Sequence, residues 1–182
     1  ITTPTTSYFE HNQVKKGDQL LGLLKEGKDI ALVSDAGTPG ISDPGYALIK
    51  LARDHQISVA VIPGPTALIA ALTLSGLPAH SFVFEGFLPV KPGARRKKLE
   101  SLKEEDRTVI FYESPHRLLK TLKDIEEVLN DPTIVCAREL TKKFEEIKRA
   151  RASELTVHFE KNKPRGEFVL LWGPAEPRHS GI

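Results

Sequence analysis

Methionine is absent from all 182 residues and the chain opens on Ile1, so a piece of a longer translated product is expected. Cysteine occurs once, at Cys136, which excludes an internal disulfide and points to a reducing, cytoplasmic compartment. The apolar setting of Cys136 predicts a buried structural thiol rather than a catalytic one. No apolar run is longer than a strand, so no stretch reads as a membrane-spanning helix. Excess charge of one sign is missing too. Lys and Arg number 26 against 24 Asp and Glu, and a net +2 does not by itself announce a nucleic-acid binder. The six histidines are scattered, with no H-E-x-x-H pair and no Cys/His cluster, so no metal site is expected. No G-x-G-x-x-G stands between a strand and a helix, and no Gly-Lys-Ser/Thr follows Gly45. These absences exclude a dinucleotide fingerprint and a P-loop, so a ligand here is not held chiefly by its phosphates. No Ser-His-Asp set is readable either.

What is present is a soluble globular composition, 40% apolar and 27% charged, and two turns rich in glycine and proline. The first is Ser34-Asp-Ala-Gly-Thr-Pro-Gly-Ile-Ser-Asp-Pro-Gly45; the second is Pro63-Gly-Pro-Thr-Ala67. Each follows a short apolar run (30–33 and 57–62) for which a strand is expected, and each leads into a helical pattern (46–53 and 66–74). With a helix over 11–24 before them, this rhythm predicts a parallel sheet covered by helices. Gly76-Leu-Pro-Ala-His80 breaks the rhythm and marks a boundary between domains over 1–78 and 82–174. In the second domain, strands are expected over 82–88, 108–112, 133–137, 143–149 and 166–172, and helices over 94–103, 115–129 and 153–159. The fold class is therefore α/β, with a parallel-sheet domain, a mixed-sheet domain and a cleft between them.

Loops at the carboxyl ends of strands are where open α/β sheets bind ligands. Asp35, at the end of its strand, is placed to accept hydrogen bonds from a hydroxyl or ammonium group, and Gly37, Gly40 and Gly64 allow close backbone approach. Asp43-Pro44 reads instead as a helix-capping pair. In the second half, Phe111-Tyr-Glu-Ser-Pro-His-Arg117, Ala137-Arg-Glu-Leu-Thr-Lys142 and Arg165-Gly-Glu167 all sit at strand ends, with Ser114 as N-cap and Pro115 at the first helical position. Arg95-Arg96-Lys97-Lys98 is the one strong charge cluster. Such a run is either a solvated helix face or a polyanion contact, which Arg117, Arg138 and Lys142 would extend. Lys161, Lys163 and Arg165 read as solvated.

Taken in order, Ser34 to Gly45, Pro63-Gly-Pro-Thr-Ala-Leu-Ile-Ala70, Phe84-Glu-Gly-Phe-Leu-Pro89, the Arg-Arg-Lys-Lys run, Phe111 to Arg117, Ala137 to Lys142 and Arg165 to Phe168 form a recognisable set. It resembles the tetrapyrrole methylase superfamily, within it the branch that methylates ribose 2′-oxygens of small-subunit ribosomal RNA. The resemblance implies S-adenosyl-L-methionine as cofactor, a cytidine ribose in that RNA (or the assembled small subunit) as substrate, and a homodimer. By matching position it assigns the cofactor to Asp35, Ala36, Gly37, Thr38, Thr66, Ala67, Glu113, Ala137, Gly166 and Glu167. Glu113, then Glu139, then His116 are candidates for a base that takes the hydroxyl proton; Glu113 could instead bind cofactor or pair with Arg138. Arg95, Arg96, Lys97, Lys98, Arg117, Arg138 and Lys142 are the candidates for RNA contact. The family's usual first strand, its Thr-Pro-x-Gly-Asn-like loop and a C-terminal extension are missing from this sequence, so weak cofactor binding by these residues alone is expected. A tetrapyrrole-pathway C-methyltransferase and a non-catalytic RNA-binding module are the alternatives.

Overall fold

The computed structural model describes residues 2–174, which divide into two compact units, one ending at Thr66 and the other beginning at Ala67. In the first unit, helix α1 (Gln13–Lys25) packs on helix α2 (Tyr46–Asp54). Gly17, Leu20 and Leu21 form the inward stripe of α1, and Leu48 and Ala52 that of α2, both at helical spacing. The strands expected over 30–33 and 57–62 are not formed: neither segment carries a ladder among the described residues. An apolar, β-branched run becomes a strand only where a neighbouring strand takes up its N–H and C=O groups. Here Val33 is 81% exposed and Ile62 90% exposed.

The second unit is one mixed five-stranded sheet with helices on both faces, as an α/β chain with a mixed sheet requires. Helix α3 (Ala67–Ser75), whose residues were expected in the first domain, packs here on the sheet. It is followed by β1 (Phe82–Phe87), α4 (Pro92–Ser101), β2 (Thr108–Glu113), α5 (Leu118–Val128), β3 (Thr133–Arg138), β4 (Glu146–Arg151), α6 (Ala152–Lys161) and β5 (Phe168–Trp172). The strand order is β1-β2-β5-β3-β4; β1 and β2 are parallel and every other pair is antiparallel. The run Phe-Val-Leu-Leu-Trp is apolar at every position and fills the central strand β5, which is buried on both faces.

Alternation along the strands sorts the core in two. Val109, Phe111, Ile134, Cys136, Phe168, Leu170 and Trp172 point to the face covered by α4, α5 and α6. Ile110, Val135, Ala137, Val169 and Leu171 point to the face covered by α3. The edge strand β4 alternates exposed and half-buried positions and carries Lys148, Arg149 and Arg151, charges that discourage pairing with another chain.

Candidate functional site

In the first unit the two glycine- and proline-rich turns touch. The Thr38 hydroxyl donates to the Pro65 carbonyl at 3.2 Å, and a Cβ on Gly37 (φ +78°) would lie 3.5 Å from that same carbonyl. The Ser34 hydroxyl reaches the carbonyls of Ala36 and Gly37 at 3.3 and 3.4 Å, closing the first turn on itself. Gly45 is a steric requirement: a Cβ there would stand 3.0 Å from Leu32 and 3.1 Å from the Gly40 Cα. Helix α2 starts only at Tyr46 with Gly45 as N-cap and no side-chain cap, so Asp43 does not cap it. Among the described residues the exposed Asp35 carboxylate makes no hydrogen bond or ion pair. The Thr66 hydroxyl is buried and has no partner among the described residues. An orphaned buried hydroxyl is a group in want of a ligand, and with Asp35 and the glycine backbone it fits the uncharged, hydroxyl-bearing nucleoside of the expected cofactor.

In the second unit Glu113 ends β2 and is 2% exposed. Its Oε1 accepts the Ser114 N–H at 2.7 Å and its Oε2 accepts the Thr121 hydroxyl at 2.5 Å, while Arg117 Nε stands 3.4 Å away. Its charge partner is thus Arg117, not Arg138, and both oxygens are occupied. Arg117 Nη2 donates onward to the carbonyls of Leu88 and Pro89 at 2.6 and 3.3 Å, holding the loop after β1 to the start of α5. That helix starts at Leu118, with Arg117 as N-cap; Ser114 instead takes the His116 N–H on its hydroxyl, so Ser114 and Pro115 lie in a turn before the helix. The His116 side chain is exposed and without a hydrogen bond among the described residues.

The loops after β3 and before β5 are tied together. Glu139 N donates to the Glu167 carbonyl (3.1 Å), Glu167 N donates back to Glu139 Oε1 (3.0 Å), and Lys142 Nζ bridges Glu139 and Glu167 at 3.0 and 2.9 Å. The Glu167 amide and the Lys142 ammonium hold the Glu139 carboxyl below the usual carboxylate range, and Glu167 with Glu139 raises Lys142. Gly166 makes this approach possible: its φ is +82°, and a Cβ would lie 2.4 Å from the Glu139 side chain. Ala137 is buried on the α3 face of the sheet. Arg138 Nη2 pairs with Glu146 at 3.0 Å, Glu146 also meets His158 Nε2 at 3.0 Å, and Arg138 Nε is buried without an acceptor. Beside these loops lies a cavity of about 170 Å³ lined by Arg138, Glu139, Phe144, Arg165 and Gly166. Phe144 was not legible as a site residue. Its one signal was an aromatic among charges, in Lys142-Lys143-Phe144-Glu145.

The basic run lies on α4, and most of it is paired. Arg95 is 3% exposed; its Nε and Nη2 each lie 2.6 Å from Asp124, and Nη1 reaches the Val90 carbonyl at 3.3 Å. Buried and paired with Asp124, Arg95 presents nothing to a polyanion, which corrects its expected role. Arg96 bridges Asp124 and Glu127 (3.0 and 2.5 Å), and Lys98 pairs with Glu85 at 2.7 Å. Lys97 is exposed and has no ion pair among the described residues. Those residues hold no group of three or more His, Cys, Asp or Glu that could bind a metal, and no helix long and apolar enough to cross a membrane.

Comparison with known proteins agrees with this architecture. Residues 1–156 match the family of tetrapyrrole (corrin/porphyrin) methylases. The chain is 48% identical over 171 residues to the ribosomal RNA small subunit methyltransferase I of Thermotoga maritima, covering 94% of this chain and 77% of that protein. It is 49% identical to the protein of the same name from Synechocystis, covering 97% and 64%, and 50% identical to that of Escherichia coli O157:H7, covering 89% and 58%. The chain thus spans between about three fifths and three quarters of the length of these relatives. Among solved structures, the methyltransferase CobJ is similar with a TM-score of 0.69 at 24% identity, over 98% of this chain and 77% of that one. The uroporphyrin-III C-methyltransferase of Thermus thermophilus complexed with S-adenosyl homocysteine gives 0.58 at 20% identity, over 90% and 74%; at these identities the likeness concerns the fold. On the match over residues 1–156 and relatives nearly half identical, the chain belongs to the tetrapyrrole (corrin/porphyrin) methylase family.

Proposed function

We propose that this chain is the greater part of an S-adenosyl-L-methionine-dependent methyltransferase that modifies the ribose 2′-oxygen of a cytidine in small-subunit ribosomal RNA. The observation that carries the cofactor half is the joined pair of turns, with the Thr66 hydroxyl buried and unpartnered at their end. The names of relatives 48–50% identical support the RNA half. The 2′-oxygen, the cytidine, a homodimer and a cytoplasmic location belong to this proposal.

Bound, the cofactor supplies an electrophilic methyl group on a sulfonium. Asp35, Ala36, Gly37, Thr38, Thr66 and Ala67 would hold it through backbone groups, one carboxylate and hydroxyls. In the second unit Ala137, Gly166 and Glu167 are the candidates for cofactor contact by the family resemblance, and Glu113 acts by holding Ser114, Thr121 and Arg117 in place. Transfer to a hydroxyl needs in-line approach of oxygen, so positioning supplies much of the rate. Of the three groups weighed as proton acceptor, Glu113 has both oxygens occupied and Glu139 is tied to Glu167 and Lys142. His116, with a free imidazole, becomes the first choice.

The test is transfer of a radiolabelled methyl group by the full-length chain to small subunits from a strain lacking the enzyme, followed by mapping of alkali-resistant linkages. One new alkali-resistant position in the RNA is expected. Label on a tetrapyrrole carbon, or none on RNA, overturns the reading. His116→Ala should lower the transfer rate by about 10²-fold with cofactor affinity unchanged; an unchanged rate removes His116 from the step.

A further inference from the structure

The cavity beside Arg138 gathers groups that the sheet does not use. Phe144 forms one wall yet is 65% exposed, and Lys143 Nζ stands 5.8 Å from its ring centroid. Arg165 lines the same cavity, and among the described residues its guanidinium has no hydrogen bond or ion pair. Arg138 pairs with Glu146 through Nη2, while its Nε is buried and has no acceptor among the described residues. Gly166 adds a wall of bare backbone.

We infer that Phe144, with Arg138 and Arg165, seats one unstacked nucleotide of single-stranded RNA. An exposed aromatic face next to cations is the arrangement on which bases of single strands stack while their phosphates are neutralised. An acidic peptide would satisfy the cations and leave the ring unused; a duplex hides the base faces that the ring needs. At about 170 Å³ the cavity is smaller than the roughly 300–1,000 Å³ of pockets for whole small ligands, which suits one base of a polymer. The inference rests on the proposed RNA substrate and adds to it the residue that grips the strand.

The experiment uses the full-length chain and labelled single-stranded fragments tiling small-subunit ribosomal RNA, with S-adenosylhomocysteine binding followed in parallel by calorimetry. Phe144→Ala should weaken the tightest-binding fragment by about 5- to 100-fold, and Phe144→Trp should restore it. Cofactor-product affinity should stay within about twofold of the parent, since stacking on Phe144 serves RNA alone. Arg165→Gln should weaken the same fragment and flatten its salt dependence. Unchanged melting of Phe144→Ala, expected for a residue this exposed, shows that the fold survives. If the parent binds RNA and Phe144→Ala binds it equally well, the seat is overturned and the substrate reading stands. If Phe144→Ala instead loses S-adenosylhomocysteine, the cavity belongs to the cofactor and the seat is overturned. If the parent neither binds any fragment nor methylates subunits, both fall together.

Discussion

Burial pushes the Cys136 thiol well above its ordinary range, with the nearby Glu146 charge adding to the effect. A thiol so held has almost no thiolate, the form that reacts. Cys136 should therefore resist an aromatic disulfide reagent in the native protein and titrate as one thiol per chain only in denaturant. Rapid labelling without denaturant would contradict its place in the core. Glu139 behaves oppositely. Its carboxyl lies below the usual range when folded, so its contribution to stability is present at neutral pH and is lost as pH falls through the folded value. Glu139→Gln keeps an acceptor for the Glu167 amide but removes the charge facing Lys142, and should cost about 1 kcal/mol at pH 7. That difference should shrink in urea titrations as pH falls from the ordinary carboxylate range through the lower folded value, because the parent is then protonated as well. A difference that does not change with pH across the acid range would show that the charge is not what matters.

At the scale of elements, α4 and α5 are joined by a buried ion pair as well as by apolar contact. Asp124→Ala would leave the Arg95 guanidinium 3% exposed and uncompensated, and should cost about 3–5 kcal/mol in equilibrium unfolding. Replacing both residues, Arg95→Met with Asp124→Leu, should recover most of that loss; a cost under about 1 kcal/mol for Asp124→Ala would deny the pair its role. The burial of Arg95 is legible in its spacing. It lies four residues before the fully buried Leu99, so one helical face holds both, and the inward turn of the first arginine follows from spacing alone. The strands of the second unit were legible because each apolar run finds neighbours within the unit. The runs at 30–33 and 57–62 look the same in sequence but have no ladder, since pairing is not a property of a single run. Glu113 was legible as a site residue at a strand end, but its partner was not: Arg117 lies on the same local turn, whereas Arg138 lies on a strand separated from β2 by β5.

At the scale of the whole chain, a net +2 means that affinity for the proposed RNA substrate has to come from a few unpaired cations, not from a general field. Lys97 is such a cation. Lys97→Glu should lower the slope of log affinity against log salt by at least about 0.7 for a single strand, with little effect on cofactor binding. An unchanged slope would remove α4 from the RNA-facing surface. The order of strands has a consequence of another kind. Among the described residues the last strand in chain order, β5, is the one inserted between β2 and β3, so a nascent chain ending before Phe168 holds two strand pairs that only helix packing joins. The sheet of this unit is therefore continuous only once Trp172 has cleared the ribosome tunnel, and a chain stalled before that point should be cut by protease faster than the finished one.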